Sequence, residues 1–306
     1  MLLNERIFSS IMKVKVSTNN KIHIWIFTGL FIFLLAILTL FKTNIRPMRV
    51  DANGVSIKFQ TGLAYGPHPL HRLDLCEPSR IQGQVAGVIL IHGGEGDKSS
   101  FTSICKDLAH AGFVAVTINY REDPPPSYQV ILPDIDLAVS WLTGKTYVDP
   151  NKLGTWGGSL GGYLASVLGT KENPGAVKCV SNNYGPTDFT DPNLESSPLK
   201  DEFLAEFFGG ITLEQDPALY QNLSPVFNVS PADAPSWLFT RSTNDALVPR
   251  TQMDRMVSAL NGVGLKTQVY EYAGTGGGHA NKLPMLQARK LYNTRLDFMK
   301  NCLNSL

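Results

Sequence analysis

Gly154–Ala165 reads GTWGGSLGGYLA, with a single serine, Ser159, set among five glycines. Glycine weakens regular structure but suits places where the backbone turns sharply or passes close to another group. The stretch matches G-x-S-x-G, with Gly157 and Gly161 in the outer positions and Gly162 adding clearance. In that pattern a strand runs into a helix through a turn tight enough to expose the serine hydroxyl, and small flanking residues keep clear of strand and helix. The context fits: KLGTWGG reads as a short buried strand and SLGGYLASVLG as a helix.

The same alternation extends in both directions. GVILIHGG, FVAVTINY, VKCVSNNYG, SWLFTRST and KTQVYEYAG are apolar runs that read as strands buried on both faces. SSFTSICKDLAHAG, with serine at its start and Gly112 at its end, LPDIDLAVSWL, RTQMDRMVSALNG and LQARKLYNTRLDFMK read as helices between or after them. Such alternation predicts an α/β fold with a mainly parallel sheet covered by helices on both faces. GVSIKFQTGLAY and HRLDLCEP read as a hairpin on the sheet edge. Residues 188–235 break the rhythm and are expected to cross the top of the sheet as a cap-like excursion. Its aromatics Phe207, Phe208, Tyr220 and Phe227 suit either an apolar pocket wall or the excursion's own core.

A serine hydroxyl needs a base, and the base needs an orienting carboxylate. His279, in the glycine-rich loop of YEYAGTGGGHANK, is the candidate base; Asp245, in the loop of LFTRSTNDALVP, is the candidate acid. His23, His68 and His71 lack such a placement, and His110 sits at a helix end as a surface or dipole residue. An oxyanion formed on an attacked carbonyl needs preorganised N–H donors. Gly93 and Gly94 of IHGGEG and Leu160, directly after the serine, are the candidates, with His92 holding the loop by hydrogen bonding. Phosphate binding by HGGEG is disfavoured, since neither a P-loop lysine-serine pair nor G-x-G-x-x-G is present there.

The chain order Ser159, Asp245, His279 is that of the α/β-hydrolase triad. From about Val55 onward the chain resembles α/β-hydrolase carboxylesterases of the lipase/esterase type, particularly the bacterial feruloyl-esterase-like (BD-FAE-type) group. The resemblance is carried by LIHGG, INYRED, LPDIDLAVSWL, VDPNKLGTWGGSLGGYLA, NYGPTDF, LSPVFNVSPADAPSWLF and NDALVP. It implies a serine carboxylester hydrolase working through an acyl-enzyme, with no metal or organic cofactor; small or aryl esters are the expected substrates, though the resemblance itself does not select them. Two departures stand out. Glu95 follows HGG where the family often has glycine and an aromatic, which disfavours anionic acyl groups. TRSTND replaces the more usual HG-x-x-D and leaves Arg241 at a strand end near the triad. The alternatives are a serine peptidase of prolyl-oligopeptidase type, for whose propeller this chain has no room, and a non-catalytic membrane-anchored binding protein of the same fold.

The 306 residues carry a net charge of +1, 43% apolar and 17% charged side chains, with no basic excess to indicate nucleic acid and no acidic tail. Residues 24–41, IWIFTGLFIFLLAILTLF, contain no charge and as a helix would span roughly 27 Å, close to a bilayer core. The expected organisation is a cytoplasmic segment (1–23), an uncleaved transmembrane anchor (24–41), a tether (42–53) and an extracytoplasmic catalytic domain (54–306). The alternative is secretion after signal-peptide cleavage. No small-x-small site lies just beyond Phe41, and Val50 and Ala52 lie too far downstream. Cys76, Cys105, Cys179 and Cys302 lack any C-x-x-C spacing. Three disulfide pairings are open, none is selected, and buried free thiols are the default expectation.

Overall fold

A computed structural model describes residues 55–306, apart from 95, 123–126, 171–175, 274–277 and 280–282 and the side chains of 201 and 202. The segments 1–23, 24–41 and 42–53 therefore lie outside the described residues, as does Glu95. Among the described residues no helix is long and apolar enough to cross a membrane.

Eight strands form one sheet in the order β1-β2-β4-β3-β5-β6-β7-β8. They are β1 (Ile57–Ala64), β2 (Arg72–Pro78), β3 (Val85–Ile91), β4 (Val114–Ile118), β5 (Val148–Gly158), β6 (Val177–Asn183), β7 (Ser236–Ser242) and β8 (Lys266–Tyr272). β1 and β2 form the expected antiparallel hairpin, and β2 is also antiparallel to β4; all other pairings are parallel. The buried runs become central strands because both faces are covered. Along β3, Ile89 and Ile91 enter one apolar cluster while Val88 and Leu90 enter the other.

The long helices are α1 (Thr102–His110), α2 (Tyr128–Thr143), α3 (Leu160–Gly169), α4 (Pro217–Leu223), α5 (Arg250–Gly262) and α6 (Met285–Asn304). α1 and α6 contribute to one core face, and α2, α3 and α5 to the other. The turn leading into α1 is capped by Asp97, not by a serine: its carboxylate accepts the Ser99 N–H at 2.6 Å.

The thiol expectation is corrected by the fold. Cys76 of β2 is bonded to Cys105 of α1, and Cys179 of β6 to Cys302 of α6. The topology brings their Cα atoms to 5.7 and 6.1 Å, within disulfide reach. Spacing in the sequence carries no trace of this, because each bridge joins a strand to a helix packed over it. Two disulfides suit an oxidising, extracytoplasmic compartment.

The excursion between β6 and β7 packs aromatics into the core cluster that also holds α2, α3 and α5. Phe189, Phe207 and Phe208 are fully buried, and Tyr220 stacks on Phe208 with ring centres 3.7 Å apart. Three of the four aromatics named from the sequence are thus core residues; Phe227 is exposed. The root of the excursion is fixed to α5 by the buried Gln252. Its Oε1 accepts the N–H groups of Thr187 and Asp188 at 2.8 and 2.9 Å, and its Nε2 donates to Asp191 Oδ2 at 3.0 Å.

Candidate active site

The parallel strands end along one edge of the sheet, where loops can converge. Ser159 follows β5, Asp245 lies beyond β7, His279 lies beyond β8, and His92–Gly94 follow β3. Ser159 has φ +54°, the left-handed strain of a tight strand-to-helix turn. The glycine requirement is steric and local. A Cβ on Gly157 would stand 2.0 Å from the Gly161 carbonyl oxygen, and one on Gly161 would stand 2.1 Å from that of Ile91.

The three side chains foreseen as a triad meet. His279 Nε2 lies 2.7 Å from Ser159 Oγ, and Nδ1 lies 2.8 Å from Asp245 Oδ2. The other carboxylate oxygen of Asp245 accepts N–H groups of Leu247 and Val248 at 3.0 and 2.9 Å. An ionised carboxylate only accepts hydrogen bonds, so Nδ1 carries the imidazole proton and Nε2 offers its lone pair to the serine hydroxyl. Asp245 is buried at 4% side-chain exposure and His279 at 14%, so the pair is shielded while the ring still reaches the surface.

Two of the oxyanion candidates, Gly93 and Leu160, flank the elbow. Leu160 opens α3, where a first-turn N–H has no acceptor within the helix. Gly93 packs against the elbow: a Cβ there would come 3.0 Å from Ser159 Cβ and 2.9 Å from the Gly158 carbonyl oxygen. His92 Nδ1 donates to the Gly93 carbonyl at 2.7 Å, and Gly96 N–H donates to it at 3.2 Å. Because a trans peptide points its C=O and N–H in opposite directions, this turns the Gly94 N–H away from His92. Burial lowers the pKa of His92 and outweighs the opposite pull of its bond to the Gly93 carbonyl.

Several supporting residues have no signature in the sequence pattern. The Tyr120 ring stacks on His92 at 4.5 Å, and its hydroxyl donates to the His92 carbonyl at 2.8 Å. Asn119 Oδ1 accepts the Lys98 N–H at 2.6 Å. Arg121 clamps the buried Asp134 of α2 through Nε (2.9 Å) and Nη2 (2.5 Å), and His71 Nε2 stands 2.9 Å from the same carboxylate. The segment after β4 thereby ties the oxyanion loop to α2 and to the edge hairpin. Its three consecutive residues, within the INYRED stretch, carried the only available hint. His110, expected at the surface, has Nδ1 2.9 Å from the Val55 carbonyl. Arg241 is buried and held by Glu271, by Asp254 at 3.0 Å and by the Arg250 carbonyl at 2.8 Å, a structural cluster joining β7, β8 and α5.

Residues 73–260 match the family BD-FAE. The chain belongs to that family. Among relatives of this BD-FAE member, the probable carboxylic ester hydrolase LipM of Mycobacterium tuberculosis (strain ATCC 25618 / H37Rv) is 28% identical over 214 residues, covering 65% of this chain and 48% of LipM. Esterase LipC of the same strain is 24% identical over 237 residues, covering 70% and 58%. The chain thus spans about half the length of the curated relatives it matches. A solved structure described as a truncated form of carbohydrate esterase from gut microbiota superposes with a TM-score of 0.64 at 18% identity, covering 83% of this chain and 98% of that one. That likeness establishes the α/β-hydrolase fold.

Proposed function

We propose that the protein is a serine carboxylester hydrolase acting on small or aryl esters through Ser159, His279 and Asp245. The observation that carries this reading is the hydrogen-bonded line from Asp245 through His279 to the serine hydroxyl, 2.8 and 2.7 Å long. Ser159 attacks the ester carbonyl while His279 Nε2 takes its proton. Asp245 keeps the proton on Nδ1 and stabilises the imidazolium that forms. The N–H groups of Leu160, Gly93 and Gly94 hold the oxyanion, each worth about 3 kcal/mol in comparable sites. His279 then protonates the departing alcohol, and water, activated by the same imidazole, hydrolyses the acyl-enzyme. The relatives named as ester hydrolases support this choice of bond.

The test is labelling by a fluorophosphonate together with turnover of a short-to-long acyl ester series. The wild type is expected to label and to turn over esters, and Ser159→Ala to do neither. Equal labelling of Ser159→Ala sinks the assignment, and faster cleavage of aminoacyl arylamides than of esters gives the peptidase reading. We also infer that residues 24–41 anchor the chain with the catalytic domain outside the cytoplasm, supported by the apolar run and by the two disulfides. Protease added to intact cells should remove the domain; protection of it would reverse the topology.

A further inference from the structure

Among the described residues, two that are not glycine adopt a left-handed backbone: Ser159 and Tyr184, the latter with φ +47° directly after β6. An aromatic residue gains nothing from that conformation, which persists only where surrounding contacts over-determine it. Those contacts can be named. The Tyr184 N–H donates to the Thr240 carbonyl at 2.8 Å. Its ring meets His279 edge to face, with centres 4.9 Å apart and planes at 81°. Arg295 of α6 supports this arrangement. Its guanidinium carbon lies 5.9 Å from the Tyr184 ring centre, and Nε and Nη2 donate to Thr240 Oγ1 at 3.1 and 2.6 Å.

The far end of the same ring crosses Gly158. A Cβ on Gly158 would lie 2.9 Å from the Tyr184 hydroxyl oxygen and 3.2 Å from Cζ. The G-x-S-x-G pattern leaves this position free, and Gly158 is not among the glycines with left-handed angles. Its backbone therefore does not ask for glycine; the tyrosine does.

His279 needs a wall. Its two hydrogen bonds leave from Nδ1 and Nε2, on opposite sides of the ring, and imidazole nitrogens bond best in the ring plane. They fix the line between Asp245 and Ser159 but leave the imidazole free to rock about that line. We propose that Tyr184 is a positioning residue for the base: its ring stops this rocking and holds Nε2 on the serine hydroxyl, while Gly158 leaves the ring room to do so. The proposal rests on the triad reading given above. Tyr184 touches the base and is not required to touch substrate, so its removal acts on kcat more than on KM.

The experiment compares full-length wild type, Tyr184→Phe, Tyr184→Leu, Gly158→Ala and the Gly158→Ala/Tyr184→Leu double variant on a short p-nitrophenyl ester. The low-field proton resonance of the His279–Asp245 hydrogen bond is recorded alongside. Tyr184→Phe keeps the ring and is expected within about 2-fold of wild type. Tyr184→Leu is expected to lower kcat by about 10- to 100-fold with KM within about 2-fold, and to broaden the low-field proton. Gly158→Ala pushes the ring from below and lowers kcat alone, but adds nothing in the Tyr184→Leu background. Wild-type kcat in Tyr184→Leu, equal loss in Tyr184→Phe, or additive losses in the double variant would overturn the proposal. If Tyr184→Leu does not fold, Gly158→Ala decides: reduced kcat at unchanged KM supports the proposal, and wild-type kcat refutes it. Failure of the triad reading is distinct, since wild type itself would then neither turn over esters nor label at Ser159.

Discussion

Replacing Gly161 by alanine tests how the elbow and the oxyanion loop are coupled. The new Cβ would stand 2.1 Å from the Ile91 carbonyl oxygen and 2.5 Å from that of His92. Real Cβ atoms do not approach closer than 3.0 Å, so the two backbones must part by about 0.9 Å. α3 has little room to retreat, because the Gly161 carbonyl already lies where a side chain on Gly157 would be. The loop after β3 therefore yields, and His92 carries with it the Gly93 carbonyl that it binds at 2.7 Å. Oxyanion donors act at about 2.7–3.1 Å, and losing one costs about 10²- to 10³-fold in kcat, or about 3–4 kcal/mol. Overpacking adds about 1–3 kcal/mol of destabilisation. Gly262→Ala, at the end of α5, is the control: nothing lies within 4 Å of a Cβ there, so kcat is expected within about 3-fold of wild type. Steady-state kinetics on a short acyl ester and thermal unfolding of both variants give the answer. Wild-type kcat in a folded Gly161→Ala protein would refute the coupling.

Asp245→Asn should lower kcat by about 10⁴-fold with little loss of stability, because the amide can donate to Nδ1 and so favours the wrong tautomer; steady-state kinetics and the thermal midpoint report the two halves. Replacing Cys179 and Cys302 with alanine opens a bridge spanning 123 residues and should cost about 5 kcal/mol, against about 4 kcal/mol for the Cys76–Cys105 bridge spanning 29, measured by urea unfolding. For Asp134, burial alone raises the carboxyl pKa, but the bonds from Arg121 and His71 outweigh it and hold the pKa below the usual 3.8. The stability from that pairing is complete above the ordinary carboxylate range and lost as pH falls through the depressed native value. Asp134→Asn should therefore flatten the stability loss below about pH 4 in acid unfolding curves, and an unchanged acid limb would count against this role.

The elbow, the strand order along the chain and the three side chains that meet were legible because each leaves a local mark. Gly157 and Gly161 face constraints set within four residues or by the adjoining strand end, and a buried parallel strand must be apolar on both faces. The disulfides were not legible, since Cys179 and Cys302 are brought together only by the docking of α6 on β6. Gln252 and the excursion's aromatics share that difficulty: a buried glutamine on a helix and a run of phenylalanines read alike whether they face a pocket or a core. Arg241 was legible in place but not in partners: it stands at the end of β7 as read, and its side chain joins Glu271 and Asp254 in a structural cluster. Sequence patterns thus report what the backbone must avoid more faithfully than what a side chain will meet. Gly158 follows the same logic one step further, as a glycine whose cause, Tyr184, lies in a different loop of the sheet edge.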